Sequence, residues 1–131
     1  MTEQHLDARY RAYIDCLNRQ DWTDLGRFVA TDVCYNGQKI GLDAYREMLV
    51  GNYADIPDLA FHVGLLVCGP TTVAARLLFY CTPKGEFLYL PINGRRVSFA
   101  ENVFYRFEQE RIGEVWSVID KAAIQAQLAG R

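Results

Sequence analysis

The sequence predicts an α+β fold, with helices packed on one face of a curved antiparallel sheet. Two observations carry this. Apolar residues recur at helical spacing through the first half of the chain, and in the second half they form extended runs separated by turn signals. The extended runs also come in consecutive pairs, which suits hairpins.

In chain order, Leu6, Tyr10, Tyr13, Ile14 and Leu17 share one face of a first helix. Asp21 is placed to cap a second, short helix with Trp22, Leu25, Phe28 and Val29 on its apolar side. An extended piece from Asp32 to Tyr35 leads to the turn Asn36–Gly37. Leu42, Tyr45, Met48 and Leu49 mark a third helix, which must stop before Pro57. Leu59 to Cys68 and Thr71 to Thr82 read as strands flanking Gly69–Pro70. Arg95 to Glu108 and Arg111 to Asp120 read as a second hairpin, and Lys121 to Leu128 as a short terminal helix.

The 131 residues suffice for one domain, residues 1–131, with a core that needs no staples. Fourteen basic and sixteen acidic residues nearly cancel and are interspersed, so no basic field exists for nucleic acid or an anionic membrane. Cys16, Cys34, Cys68 and Cys81 form no CxxC pair and no Cys/His cluster, so no metal site is expected. They read as buried reduced thiols or as disulfides, and the former suits a cytoplasmic protein. The polar N-terminal stretch lacks an apolar signal region, and no run approaches a membrane span. With no dinucleotide fingerprint or Walker motif, no cofactor is expected.

Strand parity divides Arg95–Glu108 into two faces. One carries Val97, Phe99, Glu101, Val103, Tyr105 and Phe107; the other carries Ser98, Ala100, Asn102, Phe104 and Arg106. In the following strand Val115, Ser117 and Ile119 alternate with Glu114, Trp116 and Val118. Neither face is polar throughout, unlike a sheet with one wet side. Phe104, Trp116 and Val118 therefore meet either a second subunit, in a homodimer, or the C-terminal helix of their own chain.

Residues 57–128 also hold an ordered set: Pro57–Asp58–Leu59, Gly85, Phe87, Pro91, Gly94–Arg95–Arg96, Tyr105–Arg106, Ile112, Glu114, Trp116, Asp120 and Leu128. In order and spacing the chain resembles the SnoaL-like polyketide cyclases, or ester cyclases, of the nuclear-transport-factor-2-like (cystatin-like) superfamily. The resemblance implies a conical α+β barrel enclosing an apolar small-molecule pocket. It also implies cofactor-free ring closure, with an acidic base on the last strand and a histidine and a polar residue on its neighbour. By position the base falls on Ser117, the histidine on Val103, the polar residue on Glu101, and a pocket amide on Tyr35. Serine and valine cannot do the work of aspartate and histidine. The resemblance further places Glu110 where the family has a turn glycine, which costs about 1 kcal/mol if φ is positive there.

Glu101 is the sharpest chemical candidate. On a face with Phe99, Val103 and Tyr105, burial disfavours the carboxylate and raises its pKa towards a useful acid–base range. Alternatively it pairs with Arg76, Arg95 or Arg96. His62 faces the pocket if Phe61, Val63, Leu65 and Val67 face a partner; otherwise it is a solvated rim residue. Tyr35 and Tyr105 are candidate donors to a developing oxyanion. Phe99, Val103 and Val115 are expected to line the pocket. Ser117 lacks a nucleophile elbow and reads as a small polar lining group beside Glu101. Two functions follow: a cofactor-free cyclase, isomerase or dehydratase, or a ligand-binding or structural dimeric module without catalysis.

Overall fold

A computed structural model describes residues 2–130. Helix α1 spans Glu3–Asn18, and its Thr2 cap accepts a hydrogen bond from the His5 amide at 3.0 Å. Its buried stripe is the one the periodicity predicts, with Cys16 added. The expected second helix is only a 3-10 turn at Leu25–Arg27. Gly26 and the β-branched Val29 leave too short a run to repay helix nucleation, and Val29 instead opens strand β1, Val29–Tyr35. After a turn through Asn36 and Gly37, both at positive φ, come β2 (Gln38–Lys39) and helix α2 (Gly41–Asp55). The helix ends two residues before Pro57, as that residue requires.

The remaining strands are β3 (His62–Cys68), β4 (Thr72–Cys81), β5 (Glu86–Phe87), β6 (Leu90–Pro91), β7 (Val97–Glu108) and β8 (Arg111–Ile119), followed by helix α3 (Lys121–Gly130). Six of them form one sheet in the order β2-β1-β8-β7-β4-β3, and β5 pairs with β6 separately. The architecture is α+β, as expected, but the sheet is mixed and not closed: β1 runs parallel to β8. Hairpin signals report only neighbours in sequence, whereas the partner of β1 lies roughly 80 residues downstream.

One face of the sheet carries the core. Val97, Phe99, Val103, Tyr105 and Phe107 are buried there with Leu77, Phe79 and Val115 from the flanking strands, under α1 and α2. On the opposite face α3 buries Ile124 and covers Ala100, while the Gln127 side chain accepts from the Ser98 amide at 2.8 Å. Arg95 donates to the carbonyls of Gln127 and Leu128, closing the end of that helix. The helix leaves Phe104 and Val118 uncovered, at 56% and 69% exposure. The β7–β8 turn places Gln109 and Glu110 at φ 50° and 67°, so the glycine-favouring geometry expected at Glu110 is present.

Candidate functional site

A cavity of about 210 Å³ lies between the inner sheet face and the helices. From α1 and α2 come Tyr13, Leu17, Tyr45, Met48, Leu49 and Asn52. The sheet contributes Leu77, Phe79, Phe99, Glu101, Val103 and Tyr105, together with Val115 and Ile119. The segment after α2 adds Leu59 and Phe61, and the β5–β6 strap adds Phe87 and Leu88. Leu88 and Tyr89 both sit at positive φ, so this strap is held in a conformation that side chains disfavour.

Glu101 is the carboxyl of this cavity. Its hydrogen-bond partner is Ser117, whose hydroxyl donates to Glu101 Oε2. Burial raises the Glu101 pKa, and the Ser117 bond works against that rise. None of the three candidate arginines takes the carboxylate away. Arg76 bonds Asn102 at 3.0 Å, Arg95 holds α3, and Arg96 pairs with Asp58 at 3.6 Å. Among the described residues no lysine, arginine or histidine lines the cavity. Nor does any group of three His, Cys, Asp or Glu side chains among them have the arrangement to hold a metal ion.

Asn36 fixes the partner of Glu101. Its side-chain oxygen accepts from the Ser117 amide at 2.8 Å, and its own amide donates to the Val115 carbonyl at 2.8 Å. The serine is thus pinned through its backbone while its hydroxyl serves the carboxyl. Phenols lie beyond Glu101 along the cavity. The Tyr13 and Tyr45 hydroxyls lie 2.7 Å apart, and Tyr10 donates to Tyr105 at 3.1 Å. Burial raises the pKa of each of these four, and the nearby Glu101 charge raises it further. Tyr35 is also raised by burial, opposed by its hydrogen bond with Ser117. These phenols remain protonated donors. The opposite end is a run of phenylalanines, with Phe61–Phe79, Phe79–Phe99 and Phe87–Phe99 ring centroids 5.3, 5.2 and 5.6 Å apart.

The SnoaL-like polyketide cyclase profile matches residues 7–128. The chain belongs to that family. A SnoaL-like polyketide cyclase from Agrobacterium tumefaciens strain C58 is 54% identical over 98% of this chain and 99% of that one, with a TM-score of 0.94. IdmH from Streptomyces antibioticus, at 21% identity and TM-score 0.81, aligns over 95% of this chain and 98% of its own. TsrD from Streptomyces laurentii, at 18% identity and TM-score 0.84, aligns over 98% and 97%. These two share the fold. No curated protein matches.

Within this SnoaL-like fold most of the residues expected at the site lie together. Glu101, Tyr35, Phe99, Val103, Tyr105 and Val115 line the cavity, and Ser117 touches it through Glu101. His62 is elsewhere: it is exposed on β3 beside Leu78, on the outer face. The cause is a register shift between Val63 and Leu65. A regular strand keeps Phe61, Val63, Leu65 and Val67 on one face, but here Phe61 turns inward while Leu65 and Val67 turn out. Sequence reasoning passed over Tyr13, Tyr45 and Asn52. All three fall on helix stripes it had read as packing; Asn52 continues the Tyr45–Met48–Leu49 row, and a polar residue on such a row is the available signal.

Proposed function

We propose that this SnoaL-like protein is a cofactor-independent enzyme that moves a proton on an apolar, oxygenated small molecule, in a cyclisation, isomerisation or dehydration. The observation that carries the reading is Glu101: a carboxyl in an apolar cavity, braced by a serine, with no lysine, arginine or histidine among the described residues lining that cavity. Its carboxylate accepts a proton from a carbon beside a carbonyl, and the electron pair of that C–H bond moves onto the carbonyl oxygen. A phenol at the Tyr35 end then hydrogen-bonds the developing enolate. The protonated Glu101 returns the proton to another carbon, or to a hydroxyl that leaves as water. Ser117 is a positioning residue in this scheme.

The test is deuterium incorporation into a panel of enolisable ketones, followed by NMR. Wild-type protein accelerates exchange and Glu101→Gln falls to the buffer rate with an unchanged circular dichroism spectrum. Wild-type-like exchange in Glu101→Gln rejects the assignment. A second reading, a ligand-binding or structural module without turnover, is favoured by Ser117 and Val103 standing where the family resemblance puts the base and its histidine. It prevails if wild-type protein binds ligands but exchanges nothing.

The assembly we propose is a homodimer through the outer sheet face, supported by the exposure of Phe104 and Val118 beside Trp116. A cytoplasmic location suits the four free thiols.

A further inference from the structure

The cavity is graded along β7, and the grading selects a ligand. Successive inward residues on a strand stand about 6.6 Å apart. Phe99 is followed by Glu101, then Val103, then Tyr105, with Phe79, Leu77, Ala75 and Val73 paired beside them on β4. Hydrocarbon therefore occupies one end, the carboxyl a middle layer, and phenols the far end. On the other flank Ile119 pairs with Glu101 and Val115 with Tyr105, and Tyr35 pairs with Val115 in turn. The phenol end thus has Val73 on one flank of Tyr105, and Val115 followed by Tyr35 on the other.

We infer that the cavity takes a neutral mono- or bicyclic carbonyl compound, whose flat hydrocarbon part lies among the phenylalanines and whose oxygen lies among the tyrosines. The carbon between the two then lies beside Glu101. This inference rests on the reading of Glu101 as the acid–base group only for that last placement. Size follows from the volume. About 210 Å³ lies below the roughly 300–1,000 Å³ of sites that take drug-sized ligands, which favours one or two rings over a four-ring skeleton. Charge follows from the lining. An anion entering here loses its hydration, meets no cation among the described residues, and faces the Glu101 carboxylate. The polar partners offered at the far end are protonated phenols, which suit a neutral oxygen.

Equilibrium binding tests this with three probes measured calorimetrically near pH 8: 2-tetralone, its similarly sized anionic counterpart 2-naphthoate, and the four-ring neutral ketone 4-androstene-3,17-dione. Wild-type protein should bind 2-tetralone at least tenfold more tightly than either of the others. Phe99→Ala should weaken 2-tetralone about tenfold, and Glu101→Gln should tighten 2-naphthoate by a similar factor. Equal binding of 2-naphthoate and 2-tetralone by wild-type protein overturns the charge argument, whether or not the variants fold. Tighter binding of the four-ring ketone overturns the size argument, and failure of all three probes to bind overturns the inference as a whole. No proton transfer is read in this experiment. A protein that selects ligands as stated but exchanges no deuterium leaves the inference standing and removes the catalytic reading.

Discussion

Partly burying a carboxyl in a cavity that no lysine, arginine or histidine lines among the described residues makes the charge of Glu101 expensive, and this sets its behaviour with pH. Its pKa in the folded protein is raised by burial, with Ser117 partly offsetting the rise. Between the unfolded and folded pKa values the native state holds more protons than the unfolded one, so stability falls as pH rises through that window. Glu101→Gln should therefore melt at a higher temperature than wild type near pH 8, with the gain shrinking below the ordinary carboxylate range; calorimetry across pH checks this. Ser117→Ala removes the bond that lowers the pKa. The rising limb of kcat/KM should then move to higher pH, and Ser117→Thr should return it. A merely structural serine would change the rate without moving the limb. The buried Tyr13–Tyr45 pair makes a further prediction. Tyr13→Phe or Tyr45→Phe alone leaves one hydroxyl without its partner and should cost about 1–3 kcal/mol, whereas the double variant should cost less than the two summed. Urea titration of the four proteins measures the coupling.

At the scale of elements, the strap around β5 and β6 stands out. Tyr89 sits at φ 65° with 88% of its surface exposed, so its side chain contributes little burial to set against the backbone strain. Tyr89→Gly should stabilise the protein by about 0.5–1 kcal/mol, a gain that denaturant unfolding would register. Leu88 is strained too, but it lines the cavity, so its truncation should weaken ligand binding instead. Strand parity was readable where the backbone stays regular, whereas the period of Trp22, Leu25, Phe28 and Val29 overstated a single 3-10 turn as a helix. The inward row Val97–Phe107 on β7 is where parity places it, because alternation needs only an extended backbone. It failed for His62, since a register shift next to Gly64 inverts the parity of half of β3, and one glycine in a strand does not announce a bulge. Tyr13 and Asn52 show a different limit. A helix stripe reveals which side chains face inward, but whether they meet neighbours or empty space depends on volumes set by the whole fold.

For the molecule as a whole, the outer sheet face makes the clearest forecast. Leu65 and Val67 on β3, Phe104 on β7 and Val118 on β8 form an exposed apolar surface broken by Arg76 and Asn102. If it is the dimer face, Phe104→Glu should convert the dimer to a folded monomer in sedimentation at micromolar concentration. A wild-type protein that sediments as a monomer there would remove the dimer proposal. The site was legible in part at this scale. Glu101 and Ser117 share a hairpin and were readable together, whereas the clamp from Asn36 joins segments that sequence inspection reads as unrelated.

That clamp belongs to a wider pattern with a consequence for synthesis. The first third of the chain finds its partners at the far end. Strand β1 pairs with β8, the Phe28 carbonyl accepts from the Ile112 amide at 2.7 Å, and His5 and Arg9 reach Glu110 at 2.7 and 3.0 Å. A ribosome emits these segments in order, so β1 lacks its β8 partner, and the cover of Leu6, Tyr10, Val29 and Val33 is incomplete, until the last hairpin emerges. Stalled nascent chains ending before Arg111 should be protease-sensitive and should engage chaperones throughout α1 and β1. Release of the remaining residues should protect both at once. The Glu101–Ser117 contact lies within the same β7–β8 hairpin that supplies the partner of β1, so the site and the joint between the two ends of the chain depend on one element.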